Sequence, residues 1–206
     1  STHTLVGGAF IGERPDILLL VEGIRAHATG EWRPLWSRSE EAGGGMMLGS
    51  VGAFLVLESR EHAEARGAHV YAVLDAVEGD RGNRDGDRFE TRIERLLSGL
   101  GDAASDTVVF SGSSGLHDLA RREKAVLDRR FPASALRGYG GSTGHGMEAQ
   151  FPLGLALAAL ALDSHVKVPP FDPAHEAAMA APARHAVVTT VGYVHGEGVA
   201  LVSADA

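Results

Sequence analysis

Apolar residues fall along this chain in two rhythms. Short uninterrupted runs lie at 16–21, 48–58, 70–77, 107–110, 186–190 and 198–203, each bounded by glycine, proline or polar residues. Runs of that length between turn signals predict strands, buried on both faces where no alternation shows. Between them, residues 60–66, 89–100 and 118–131 carry charged residues at helical spacing and predict surface helices. Ser59 is placed to cap the first of these and Gly67 to end it. Strands alternate with helices and the last two strands follow each other closely, which predicts an α/β layered domain closing in a hairpin.

The stretch from Leu153 to Leu162 is apolar at every position until Asp163 stops it. A helix apolar all round is expected to be buried all round, and this one is too short and too rich in alanine to span a membrane. Pro152 fits its first turn, where a missing N–H costs least. Just before it stand Ser142, Thr143, Gly144, His145 and Gly146. This spacing predicts His145 at the helix mouth, beside unpaired backbone N–H groups and the positive dipole end, a setting for donation to an anionic oxygen. A capping or core role for His145 is the alternative.

Residues 5–11 read as the tail of a buried helix. Residues 24–45, with Trp32, Pro34, Trp36 and three consecutive glycines, read as a loop with exposed tryptophans for packing or partner contacts. The Asp- and Gly-rich segment 80–87 has the look of a calcium loop but lacks the terminal glutamate, and a flexible turn fits it better.

Composition narrows the possibilities. The 206 residues suffice for one large domain. A net charge of −8 argues against nucleic acid or an anionic membrane as partner. No cysteine is present, so disulfides and thiolate metal sites are excluded and a cytoplasmic location is allowed. The 10 histidines follow no zinc-site spacing, and no segment reads as a signal peptide or transmembrane helix. A chain opening on Ser1 implies processing or a piece of something longer, and Ser1 or Thr2 could serve as an N-terminal nucleophile with the α-amine as base.

The order of several motifs resembles the C-terminal part of a β-ketoacyl-acyl-carrier-protein synthase. Leu48-Gly-Ser-Val-Gly-Ala-Phe-Leu-Val-Leu-Glu58 is similar to the family's Gly-Glu-Gly-Ala strand, with Ser50 at the glutamate. His62-Ala-Glu-Ala-Arg-Gly67 and Val70-Tyr-Ala72 resemble the helix and strand that follow. Thr143-Gly-His-Gly146 resembles the Thr-Gly-His segment, and Val191-Gly-Tyr-Val-His195 the Phe-Gly-Phe-Gly-Gly turn. Ser1-Thr-His3 and residues 16–23 resemble the nucleophile helix and the strand after it.

The resemblance implies a thiolase-like fold of five layers, α-β-α-β-α. Residues 1–58 would end the first half and residues 59–206 form the second. It places the catalytic cysteine before Ser1, implies no cofactor and no metal, and brings in three partners: the N-terminal half as a separate chain, an active ketosynthase subunit and an acyl carrier protein. A fold divided in this way should leave apolar faces exposed.

The resemblance also assigns residues. His145 matches the second catalytic histidine, Ser111 stands at the first, and Gly140 stands where the family has lysine, with Arg137 the nearest cation. Thr143 and Tyr193 match substrate-lining positions, and Val194 and His195 replace two glycines. A hydroxyl donates but cannot serve as a near-neutral base. The expected role is therefore that of a non-condensing homologue similar to a chain length factor, shaping the acyl tunnel of an active partner. A condensing fragment whose nucleophile lies on another chain is the alternative.

Overall fold

The computed structural model describes residues 3–40, 45–101, 104 and 106–205. Ser1 and Thr2, the N-terminal nucleophile candidates, lie outside the described residues, as do residues 41–44 of the glycine-rich segment.

The first strand, β1 (His3–Phe10), pairs antiparallel with β2 (Val51–Glu58) in a two-stranded ribbon. Five further strands form a mixed sheet: β3 (Val73–Asp80), β4 (Thr107–Ser111), β5 (Ala135–Gly138), β6 (His185–Val191) and β7 (Glu197–Ser203). Their order is β3-β7-β6-β4-β5. Strands β4, β5 and β6 are parallel to one another, while β6, β7 and β3 run antiparallel in succession.

Alternation along the strands sorts the core into two clusters. Val109, Val187, Val191 and Val199 meet Phe89, Ile93, Leu96 and Leu97 of α4 (Arg88–Gly99) and Val126 and Leu127 of α5 (His117–Arg130). Val108, Phe110, Val188, Ala200 and Val202 meet Leu155, Ala158 and Leu162 of α7 (Gln150–Asp163). On its other side α7 packs against β1 and β2, and at the turn just before it a Cβ at Gly8 would lie 3.2 Å from the Cα of Ala149. Ribbon, α7, sheet and the α4–α5 pair are thus four successive layers of the five expected.

Several local expectations change. Residues 5–10 are strand, not the tail of a helix, and His3 already belongs to that strand, so the described residues open on β1 and not on a nucleophile helix. Gly7 lets the Phe54 ring cross the ribbon, since a Cβ there would come within 2.4 Å of it. Residues 16–21 are helix, not strand: α1 (Pro15–Gly23) follows an extended Arg14, with proline at its start and Asp16 in its first turn. Segment 24–45 contains α2 (Leu35–Ser39), and Trp36 is buried while Trp32 is exposed. Between β2 and β3, Ser59 caps α3 (Arg60–Ala65) by accepting from the His62 N–H. α7 is not buried all round, for Leu160 stays half exposed.

Candidate active site

Three segments gather beyond the carboxyl ends of β4, β5 and β6: residues 112–116, residues 139–144 with α6 (Gly140–Thr143), and the turn 192–196. The crevice outside the carboxyl ends of parallel strands is where α/β sheets place ligands. Residues 47–49 strap this rim. The His145 N–H donates to the Met47 carbonyl at 2.7 Å, and the His145 carbonyl accepts from the Gly49 N–H at 3.2 Å. Only glycines permit the crossing: a Cβ at Gly49 would lie 2.0 Å from the Thr143 oxygen, and Gly144 has a φ of 73°.

His145 is 3% exposed, and its Nδ1 has no hydrogen-bond partner among the described residues. Burial lowers its pKa from the ordinary 6.5 to about 4, so the ring is neutral. It does not sit at the mouth of α7. A 3₁₀ turn, Met147–Ala149, intervenes before that helix begins at Gln150. The Thr143 hydroxyl is engaged with the Tyr139 and Gly144 carbonyls at 3.1 and 2.9 Å. Half-buried Tyr193 joins the apolar cluster of Val21, Ala26, Met46, Leu48 and Met147. Leu48 bridges to His145 and Met147 follows it closely, so His145 and Tyr193 border the same cluster at the rim.

Ser111 does not join them. It has the strand parity of Val109, on the α4–α5 face, and its hydroxyl donates to Glu123 Oε1 at 3.0 Å. Thr189, its partner on β6, donates to the same oxygen at 2.6 Å. Burial pushes the Glu123 carboxyl up, and these hydroxyls work against that rise. The α7 side falls to Gly112, where a Cβ would lie 2.5 Å from the Tyr139 hydroxyl and 3.2 Å from Gln150 Cγ.

Gly140 is closed in as well. A Cβ there would stand 3.1 Å from the Ser113 oxygen, 3.2 Å from Leu35 and 3.4 Å from Gln150 Nε2, so a lysine chain meets filled space. Gln150 accepts from the Gly146 N–H at 2.7 Å, while its buried Nε2 lacks a partner among the described residues. Arg137 is no surrogate. Wholly buried, it donates to the carbonyls of Leu136 at 2.6 Å, Val168 at 2.8 and 3.0 Å, and Ala177 at 3.0 Å. Glu176 lies 3.9 Å from it.

Sequence reasoning missed Glu123 and Gln150. Glu123 carried a readable signal: it falls in step with Ala120 and Leu127 on the apolar stripe of α5, where a carboxylate is out of place. Gln150 is the polar residue that starts the apolar run of α7. Among the described residues no cluster of His, Asp or Glu could hold a metal ion, and no helix is long and apolar enough to cross a membrane.

No family model and no curated protein matches this sequence. Solved structures do. The chain matches, with a TM-score of 0.82 and 18% identity, a type II PKS acyl-carrier protein in complex with its ketosynthase bound to the hexaketide (AntDE:AntF), over 100% of this chain and 57% of that one. It matches the ishigamide ketosynthase/chain length factor at 0.79 and 21%, over 100% of this chain and 54% of that one. A β-ketoacyl synthase from Burkholderia phymatum STM815 matches at 0.80 and 18%, over 100% and 55%. The chain therefore has a thiolase-like ketosynthase fold and spans a little over half the length of these proteins, as an equivalent of their C-terminal part would.

Proposed function

We propose that this chain is a ketosynthase-like accessory subunit, similar to a chain length factor, which shapes the acyl tunnel of an active ketosynthase in a cytoplasmic fatty acid or polyketide condensing complex served by an acyl carrier protein. Residues 1–58 end the first half of the fold and residues 59–206 make the second, with the remaining N-terminal portion of the fold outside these 206 residues. The reading is carried by the loss of proton-handling groups from the rim. The hydroxyl of Ser111 is bonded to Glu123 on the far face of the sheet, and the space beside Gly140 is occupied by Ser113, Leu35 and Gln150. A buried neutral histidine remains, and Arg137 is spent on carbonyls.

One observation favours a second reading, a condensing fragment whose cysteine lies on a separate chain. The Nδ1 of His145 is buried without a partner among the described residues, as a donor awaiting a thioester oxygen would be. A condensation assay with carrier-bound acyl and malonyl groups separates the two. Wild-type and His145→Gln complexes are compared at equal assembly. The accessory role predicts a loss below tenfold. Removing a working oxyanion donor typically costs about 10²–10³ in rate, and a loss of that size would overturn the accessory reading.

A further inference from the structure

The polar segment that follows β3, residues 81–87, has a clear place in the fold. Arg84 leaves it and reaches the turn between β6 and β7. Its Nη2 donates to the Gly192 carbonyl at 2.8 Å and its Nη1 to the Tyr193 carbonyl at 3.1 Å. Its Nε donates to Glu197 Oε1 at 2.7 Å. Glu197 is buried at the first residue of β7 and takes Arg92 Nη1 on its other oxygen at 3.0 Å. The backbone of Arg84 is held in turn, because its carbonyl accepts from both terminal nitrogens of Arg122, at 3.3 and 3.2 Å. Arg122 is itself paired with Glu90 at 2.6 Å, and both guanidinium groups lie over the Phe89 ring.

We propose that Arg84 is a positioning residue that fixes the 192–196 turn and, through it, the Tyr193 ring against the residues flanking His145. Three features carry this. First, the turn has one cross-turn backbone bond of its own, Gly192 N–H to the Gly196 carbonyl at 2.8 Å, and Val194 and His195 stand exposed on it. Second, the two carbonyls Arg84 grips are those on either side of the Tyr193 Cα, so the guanidinium sets the orientation of that residue's backbone. Third, the Tyr193 ring packs in the cluster that contains Leu48 and Met147, whose backbones border His145. A planar fork with several donors can hold two carbonyls and a carboxylate together, which an ammonium group cannot. The functional weight of this clamp rests on the proposed role of the rim as an acyl-facing surface.

The test uses the full chain in its assembled form, labelled with 3-fluorotyrosine, which gives resonances from Tyr71, Tyr139 and Tyr193. Arg84→Lys and Arg84→Ala are compared with Arg92→Lys, a change to the other partner of Glu197, whose guanidinium also holds the Asn83 carbonyl but no carbonyl of the 192–196 turn. The expected result is a shifted or broadened Tyr193 resonance and at least tenfold faster amide exchange at residues 192–196 in both Arg84 variants. Tyr139 stays unmoved, and Arg92→Lys leaves the turn as in wild type. An unchanged Tyr193 resonance in Arg84→Ala would overturn the proposal, and so would equal loosening in Arg92→Lys, which would show that the turn answers to the whole charge network and not to Arg84's grip on its carbonyls. Neither readout needs condensing activity, so the accessory role and the clamp can fail separately.

Discussion

On the five-stranded sheet both faces are covered, by α7 on one side and by α4 and α5 on the other. On the β1–β2 ribbon one face is covered. Its inner residues Ala53 and Leu55 turn to α7, whereas Leu5, Phe54 and Val56 stand 68%, 63% and 60% exposed on its outer face. α1 adds exposed Leu19 and Leu20. Both regions are built from the same apolar alphabet, so composition does not separate them; coverage does. Two strands alone are marginal, and the ribbon is held by the helix packed beneath it. An apolar outer face on such a ribbon is the kind of surface that marks an interaction site.

The comparison breaks most forcefully at the covered sheet. Val188 is fully buried between β6 and α7. Val188→Asp places a carboxylate there with no partner, a change expected to cost more than about 4 kcal/mol. Against total stabilities of about 5–15 kcal/mol for a domain, the chain should lose its cooperative urea transition. A native-like circular dichroism melt from this variant would mean that the sheet is far less dependent on α7 than the packing requires.

The next effect belongs to pH and is centred on His145. Unfolded, its ring titrates near 6.5, and folded near 4. Between those values the unfolded chain binds the extra proton, so stability falls as pH falls, by about 3 kcal/mol over the full span. His145→Gln should flatten this limb in urea midpoints measured from pH 7 to pH 4. His175 acts in the opposite sense. Burial opposes its charge, but Glu40 at 2.9 Å and Asp172 at 3.2 Å prevail and raise its pKa. Its contribution is present below about 6.5, the ordinary value for histidine, and fades as pH rises through the raised folded value. An acid limb as steep in His145→Gln as in wild type would locate the proton uptake elsewhere.

A smaller effect comes from the loop that closes the β5 edge. Glu176 accepts three N–H groups, from Trp36 at 2.9 Å, from Gly138 at 2.7 Å and from Phe171 at 2.7 Å. Glu176→Gln keeps the shape but turns one acceptor into a donor facing a donor. A loss of about 2–3 kcal/mol is expected, read by urea denaturation, with Trp36 emission reporting the site. A change below about 0.5 kcal/mol, the range of ordinary surface substitutions, would mean the three donors have other outlets.

How much of this was legible in the sequence follows the same division. β4, β6, β7, α4, α5 and α7 were readable because their patterns are long or bounded by clear turn signals. The apolar pattern puts β3 three residues early, because its polar end, Glu78 to Asp80, pairs with β7 at the sheet edge. β1 and α1 were interchanged: six or seven apolar residues between breakers fit either state, and Gly7 and Gly8 hid the strand. Trp36 looked exposed because its partner, Glu176, lies 140 residues away. The motif singles out His145 as a candidate, but its neutral state and orphaned nitrogen depend on burial that no local pattern records. Motif order singles out Ser111 as a candidate, but only the strand's parity shows that its hydroxyl lies on the α4–α5 face, bonded to Glu123.

The smallest effect on stability is the sharpest test of the comparison. Leu5 and Val56 are directly opposite across the ribbon, both on its outer face. Changing Leu5→Lys together with Val56→Glu exchanges an apolar pair for an opposite-charge pair, and cross-strand pairs of either kind contribute about 0.2–1 kcal/mol. The ribbon should therefore keep its fold, with a change in urea stability below about 0.5 kcal/mol, as for surface positions generally. A partner that closes over this face would meet two desolvated charges at its centre, and these lose their water without gaining a counterpart. Assembly should then fail while folding persists, as read by size-exclusion chromatography of the co-expressed proteins beside hydrogen exchange of β1 and β2. A double variant that assembles like wild type would show that water is the outer face's normal neighbour, and the asymmetry between the two sheets would then carry no information about a partner.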